Sequence, residues 1–240
     1  MDRVLQRIQA LVGKQRAKAS EPTFARLSQM PGANRLFKRI AYARDAQQLD
    51  DYRAEILYAL MFAGLAFDVV IEPKGAKGPD LSICRNGCSA AVEVTRFRKM
   101  HEGPPMASPS DMPEILQLYG DPLRDVRKVR EKVTSKFRQL REGTGIIAIW
   151  NDDGDLENLE ACQGVAEIAR DAVTGVLKVP PDVFLVIYAS EEMNISEQQQ
   201  IYCFELRPEC PDYQRKWVNE LEASSVRQLL RQAASLQYRP

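Results

Sequence analysis

The sequence predicts an α/β protein: a mixed central sheet flanked by helices, with helical additions at its N- and C-terminal ends. Three observations predict it. Short apolar runs, "AFDVVIEP" (66–73), "GIIAIWN" (145–151) and "DVFLVIYAS" (182–190), read as strands, and the last two read as buried. Amphipathic stretches of helical period alternate with them. An Asn-Gly pair at 86–87, between two further β-like runs, marks a hairpin and adds antiparallel strands to the sheet.

In chain order, residues 1–47 are rich in Arg and Lys and read as short helices, with breaks expected near "EPTF" (21–24) and "MPGAN" (30–34). A helix is expected over about 50–64, with acids in its first turn and Gly64 near its end. The strand at 66–73 and the hairpin follow, then a Pro- and Met-rich loop (101–113) without periodic signal. Residues 122–142 form the strongest helix, with Leu123, Val126, Val129, Val133, Phe137 and Leu140 in one apolar stripe. Beyond the strand at 145–151 come an acidic loop (151–155), a helix near 156–176, the strand at 182–190, a polar segment and a final helix over about 213–236. The chain therefore divides into an N-terminal helical extension (1–47), an α/β core (48–190) and a C-terminal helical extension packed on the core (191–240).

Composition narrows the chemistry. Lys and Arg together number 33, as do Asp and Glu, so any basic surface must arise from local segregation. With one histidine, His101, the chain lacks the means for a His-based triad or a multi-histidine metal site. The five cysteines match no zinc-ligand spacing and read as reduced structural thiols. The first residues contain no continuous apolar core of a signal segment and no stretch approaches a membrane span, so a cytoplasmic protein without membrane contact is expected. Carboxylates, lysines and metal are left to carry any reaction.

The hairpin holds the acids. With Asn86-Gly87 as a two-residue type I′ turn, Arg85 faces Cys88, Cys84 faces Ser89, Ser82 faces Ala91 and Asp80 faces Glu93. Leu81, Ile83, Val92 and Val94 fall on the opposite, apolar face. Facing side chains have Cβ atoms about 5 Å apart, where like charges repel. Either a cation lies between Asp80 and Glu93 or one of them keeps its proton. Hard divalent cations such as Mg²⁺ bind to one or two carboxylates together with water and phosphate, which suits the first alternative.

An acid-bearing helix, a strand, Pro79-Asp80 and then Glu93-Val94-Thr95 on the next strand resemble the PD-(D/E)XK nuclease superfamily, whose fold is restriction-endonuclease-like. The likeness covers about residues 48–190. It implies a metal-dependent nuclease hydrolysing phosphodiester bonds, with DNA as the expected substrate and Mg²⁺ (or Mn²⁺) as cofactor. Asp80 and Glu93 would hold the ion, with the Val94 carbonyl as a further ligand. Glu55, in the first helix, would hold a second ion through water or orient the nucleophile. The chain departs from the family at Thr95, where the pattern has lysine; a hydroxyl can orient water but brings no charge.

The helix at 122–142 offers a replacement. Lys128, Lys132, Lys136 and Gln139 form one flank beside its apolar stripe, with Lys136 nearest the edge; Lys77 and Lys99 are closer in sequence. Between 121 and 142 there are eight Lys or Arg against four Asp or Glu, a local excess able to engage phosphates. Arg130 falls inside the stripe and is expected to pair with a buried acid, while Arg35, Lys38, Arg39 and Arg44 extend the basic surface. The expected site is thus Glu55, Asp80, Glu93, Thr95 and Lys136, with Lys128, Lys132, Lys136 and Gln139 on nucleic acid. The alternative is a nuclease-fold protein without catalysis, acting as a nucleic-acid-binding or assembly subunit. By analogy with restriction enzymes, a homodimer is expected, with 191–240 as a partner surface.

Overall fold

The two residues of the hairpin turn adopt the left-handed backbone that their types favour, φ being 54° at Asn86 and 77° at Gly87. The register follows from the turn. Strand β2 (Leu81–Arg85) runs antiparallel to β3 (Cys88–Phe97), pairing Arg85 with Cys88, Cys84 with Ser89, Ser82 with Ala91 and Leu81 with Val92. The ladder stops there, so Asp80 and Glu93 lie one step past its last pair. In this computed structural model the described residues are 2–74, 78–97, 122–140, 145–151, 158–190, 201–207, 209–225, 228–229 and 232. The Pro- and Met-rich segment 101–113, most of the acidic loop, Lys77 and Lys99 lie outside them.

Three helices precede the core: α1 (Asp2–Val12), α2 (Lys14–Leu27) and α3 (Ala33–Ala41). The break expected near 21–24 does not occur, since α2 continues through Pro22. A proline costs a helix one backbone hydrogen bond. Burial of Ala17, Phe24 and Leu27 on either side of it holds α2 together. The chain breaks instead at Gly13, between α1 and α2.

Helix α4 (Ala46–Gly64) begins four residues before the expected start. Asp45 is its N-cap, accepting from the Gln48 N–H at 2.7 Å, while Gln48 Oε1 accepts from the Arg44 N–H at 2.9 Å. Glu55 is therefore an interior residue and not a first-turn acid. Strand β1 (Asp68–Ile71) is shorter than the apolar run because Ala66 and Glu72 flank it with φ of 58° and 47°, outside strand geometry.

Helix α5 (Pro122–Lys136) ends in a 3₁₀ turn over Phe137–Gln139. Then come β4 (Gly145–Asn151), α6 (Asn158–Val173), β5 (Val183–Ser190), β6 (Ile201–Glu205) and α7 (Asp212–Glu222). Strand β6 departs from the expected all-helical C-terminal segment. Its five residues are mostly half-buried, too weak a pattern to stand out after a polar run.

Among the described residues six strands lie in sequence order, β1 to β6. Pairing is antiparallel from β1 to β3, parallel from β3 through β4 to β5, and antiparallel again at β6. Among the described residues seven α-helices flank this mixed sheet. On one face a core built on Leu36, Tyr58, Phe62, Leu81, Val92, Trp150 and Trp217 joins α1–α4 and α7 to the strands. On the other, Val129, Val133 and Phe137 of α5 and its turn pack with Val165 and Ile168 of α6 on Phe97, Ile147 and Ile149. Among the described residues no helix is long and apolar enough to cross a membrane.

Candidate active site

The alternation of a strand decides which way the acids point. Val92 and Val94 join the α4-side core and Phe97 the α5-side core, so Glu93 and Thr95 lie on the α5 side of β3. Burial there is deep, with Glu93 1% and Thr95 6% exposed. Asp80 is drawn onto the same strand by its side chain, as Oδ2 accepts from the Val94 N–H at 2.9 Å. Val94 thus holds Asp80 through its amide, while Asp80 O accepts from the Glu72 N–H at 2.7 Å and links the end of β1 to the same place.

Lys136 completes the group from the opposite element. The last residue of α5, it brings Nζ to 2.7 Å from Glu93 Oε1. Glu93 Oε2 is buried and, among the described residues, accepts no hydrogen bond, while the Glu93 carboxyl lies against that of Asp80. Burial, then the charge of Asp80, pushes the Glu93 carboxyl up to about 7, against the pull of Lys136. Asp80 is raised as well, mainly by burial, with the Val94 amide, Lys136 and Arg39 acting the other way.

These residues line a cleft of about 290 Å³ in which Glu55, Asp80, Glu93, Val94, Thr95, Lys132, Lys136 and Gln139 all take part. Lys128 does not line it; its Nζ lies 5.7 Å from the centroid of the Phe97 ring. Arg130 pairs with the buried Asp171 at 2.6 Å.

Among the lining residues outside the expected site are Arg39, expected only to extend the basic surface, and Glu72. Arg39 Nη2 donates to both oxygens of Glu55, at 2.5 and 2.6 Å, and its Nη1 lies 2.8 Å from Glu72 Oε1. Burial and the charge of Asp80 push Glu55 up to about 8, with Arg39 opposing them. A signal for Arg39 existed in its neighbours, since Leu36, Phe37 and Ile40 form the buried stripe of α3 and set Arg39 beside it. Glu72 carries only the weak signal of an acid closing an apolar strand.

The donor set suits a hard divalent cation. Asp80 and Glu93 offer carboxylate oxygens, and the orphaned Glu93 Oε2 lacks the partner that burial demands. Among the described residues no three of His, Cys, Asp and Glu cluster closely enough to cage a metal. Two carboxylates could hold an ion that keeps waters and shares its shell with phosphate, as Mg²⁺ does, whereas a closed zinc site needs four protein ligands. Fold and cleft together define an α/β protein whose acid-lined cleft carries resident basic side chains. Comparison with protein-family models, curated proteins and solved structures gave no match.

Proposed function

We propose that the cleft is the active centre of a metal-dependent nuclease that hydrolyses phosphodiester bonds in DNA. On this reading the core is restriction-endonuclease-like, of PD-(D/E)XK type, and Lys136 of α5 stands in for the motif lysine that Thr95 replaces. The observation that carries it is the placement of Lys136 Nζ 2.7 Å from Glu93 Oε1, next to a carboxylate left without a donor on its other oxygen.

Asp80 and Glu93 would hold Mg²⁺ or Mn²⁺, with the Val94 carbonyl as a further oxygen. When bound, such an ion polarises the phosphate and makes its water more acidic. The Lys136 ammonium supplies a donor for the charge that grows on the phosphate oxygens. The Thr95 hydroxyl, two residues from Glu93 on the same face of β3, accepts from and orients the attacking water. As the water oxygen bonds to phosphorus it gives up a proton to solvent, and the departing ester oxygen, its bond to phosphorus broken, takes up a proton from solvent. Lys132 and Gln139 reach the flanking phosphates, and Lys128 extends the same flank along α5.

The test is incubation of the purified protein with supercoiled plasmid and linear duplex in Mg²⁺, Mn²⁺ or EDTA. Cleavage is expected with either metal and none with EDTA. Removing one transition-state donor typically costs about 10²- to 10³-fold, so Lys136→Met should lose that much, and Asp80→Asn or Glu93→Gln at least as much. Metal-dependent cleavage that survives both carboxylate substitutions overturns the site. Thr95 at the lysine position favours a second reading, a nuclease-fold protein that binds nucleic acid without turnover. Salt-sensitive binding with no cleavage of any substrate would establish that one instead.

A further inference from the structure

A second pair of acids lines the same cleft. Glu55, 8% exposed, projects from the third turn of α4, and Glu72, 4% exposed, follows β1. Buried like charges require a counter-charge. Here a side chain of the chain's own N-terminal helices supplies it. Arg39 donates to both oxygens of Glu55, its Nη1 lies 2.8 Å from Glu72 Oε1 as an ion pair without a hydrogen bond, and the Tyr52 ring backs its guanidinium at 4.5 Å. Glu72 is pinned in turn, its N–H donating to the Asp80 carbonyl and its carbonyl accepting from Arg35 Nη1.

The two acid pairs differ in how the resident cation holds them. Lys136 is a flexible point charge bonded to one oxygen of Glu93, with the other bare. Arg39 is a planar, permanently charged fork set against a ring; it occupies both oxygens of Glu55 and pairs by charge with Glu72, whose Oε1 accepts no hydrogen bond from the described residues.

We propose that Arg39 is a built-in cation that fills the Glu55–Glu72 pair, so that the cleft takes a single divalent ion, at Asp80 and Glu93. Arg39 acts as a positioning residue, and the N-terminal helices set the metal stoichiometry. The inference rests on the metal site proposed above.

Calorimetric titration of the full chain with Mn²⁺, without DNA, reads the number of ions directly. One Mn²⁺ per chain is expected for the wild type, lost in Asp80→Asn and retained in Glu55→Gln. Arg39→Met should bind two, the second vanishing in the Arg39→Met/Glu55→Gln double variant, while Arg39→Lys keeps one. A folded Arg39→Met that still binds one ion overturns the inference. So does a wild type that binds two, with the second lost in Glu55→Gln. If Arg39→Met fails to fold, the wild type and Glu55→Gln decide alone: one ion in both supports the inference. A wild type that binds none refutes the metal site itself, and the role of Arg39 with it.

Discussion

Glu93 sits where two demands conflict, burial favouring the neutral acid and the proposed metal binding the carboxylate. The folded chain without a cation holds Glu93 up to about 7 and Glu55 up to about 8, against an ordinary 4.5. Asp80 faces both, Lys136 and Arg39 oppose it, and Glu72 adds to the charge around Glu55. Because these acids keep protons in the folded state that the unfolded chain has released, folding takes up protons across that window. Their contribution is full below the unfolded pKa and is lost as pH rises through the folded values. The melting temperature of the cation-free protein should therefore fall between about pH 5 and pH 8.5, less steeply in Glu93→Gln. Mg²⁺ or Mn²⁺ should restore much of the loss at the upper end, since it favours the ionised pair. Thermal scans across pH, with and without metal, check this; an equal slope in Glu93→Gln would show that burial of Glu93 is not its source.

The delivery of Lys136 is a property of two helices. Helix α5 buries Val126, Val129 and Val133 and approaches α6 at Gly164, where an added Cβ would lie 2.8 Å from Val129 Cβ and 3.0 Å from the Val126 carbonyl. Alanine favours a helix by up to about 1 kcal/mol over glycine. Neither contact is the tip of a flexible side chain, so the helices must part, at a cost of about 1–3 kcal/mol. Gly164→Ala should lower stability in urea and, by moving Lys136 off Glu93, slow the proposed DNA cleavage about tenfold, the equivalent of about 1.4 kcal/mol. Unchanged stability and rate would mean that α5 has slack. Much at this scale was legible in the sequence. The α5 stripe, β4, β5 and the hairpin register follow from periods of 3.6 and 2 and from one turn pair, and the same periods set Glu93, Thr95 and Lys136 toward one place. The start of α4 was hidden because Asp50 and Asp51 resemble first-turn acids, whereas the Asp45–Gln48 cap marks the true beginning. No local period links α3 to the end of β1, so the Arg39–Glu72 contact could not be read from spacing.

That contact bears on how the whole molecule is divided. A separate extension over 1–47 would carry its own core, yet Val4, Ile8, Phe24, Leu27, Leu36 and Ile40 belong to the cluster that holds α4 and the sheet. Backbone bonds cross the same boundary: the Ile71 N–H donates to the Pro31 carbonyl at 2.8 Å, beside the Arg35–Glu72 bond. The N-terminal helices thus build the β1 side of the cleft as well as covering the sheet. Leu36 tests their standing, because it is fully buried on α3, three residues before Arg39. A Leu→Ala change at such a position costs about 2–5 kcal/mol. In one cooperative core that loss should shift a single urea transition, followed together by far-UV circular dichroism and by the fluorescence of Trp150 and Trp217, both buried in the shared cluster. An independent extension would instead melt early in circular dichroism while the tryptophan transition stayed at its wild-type midpoint. Coincident shifts are expected, because the side chains that Leu36 joins reach from α3 to the far helices of the same face.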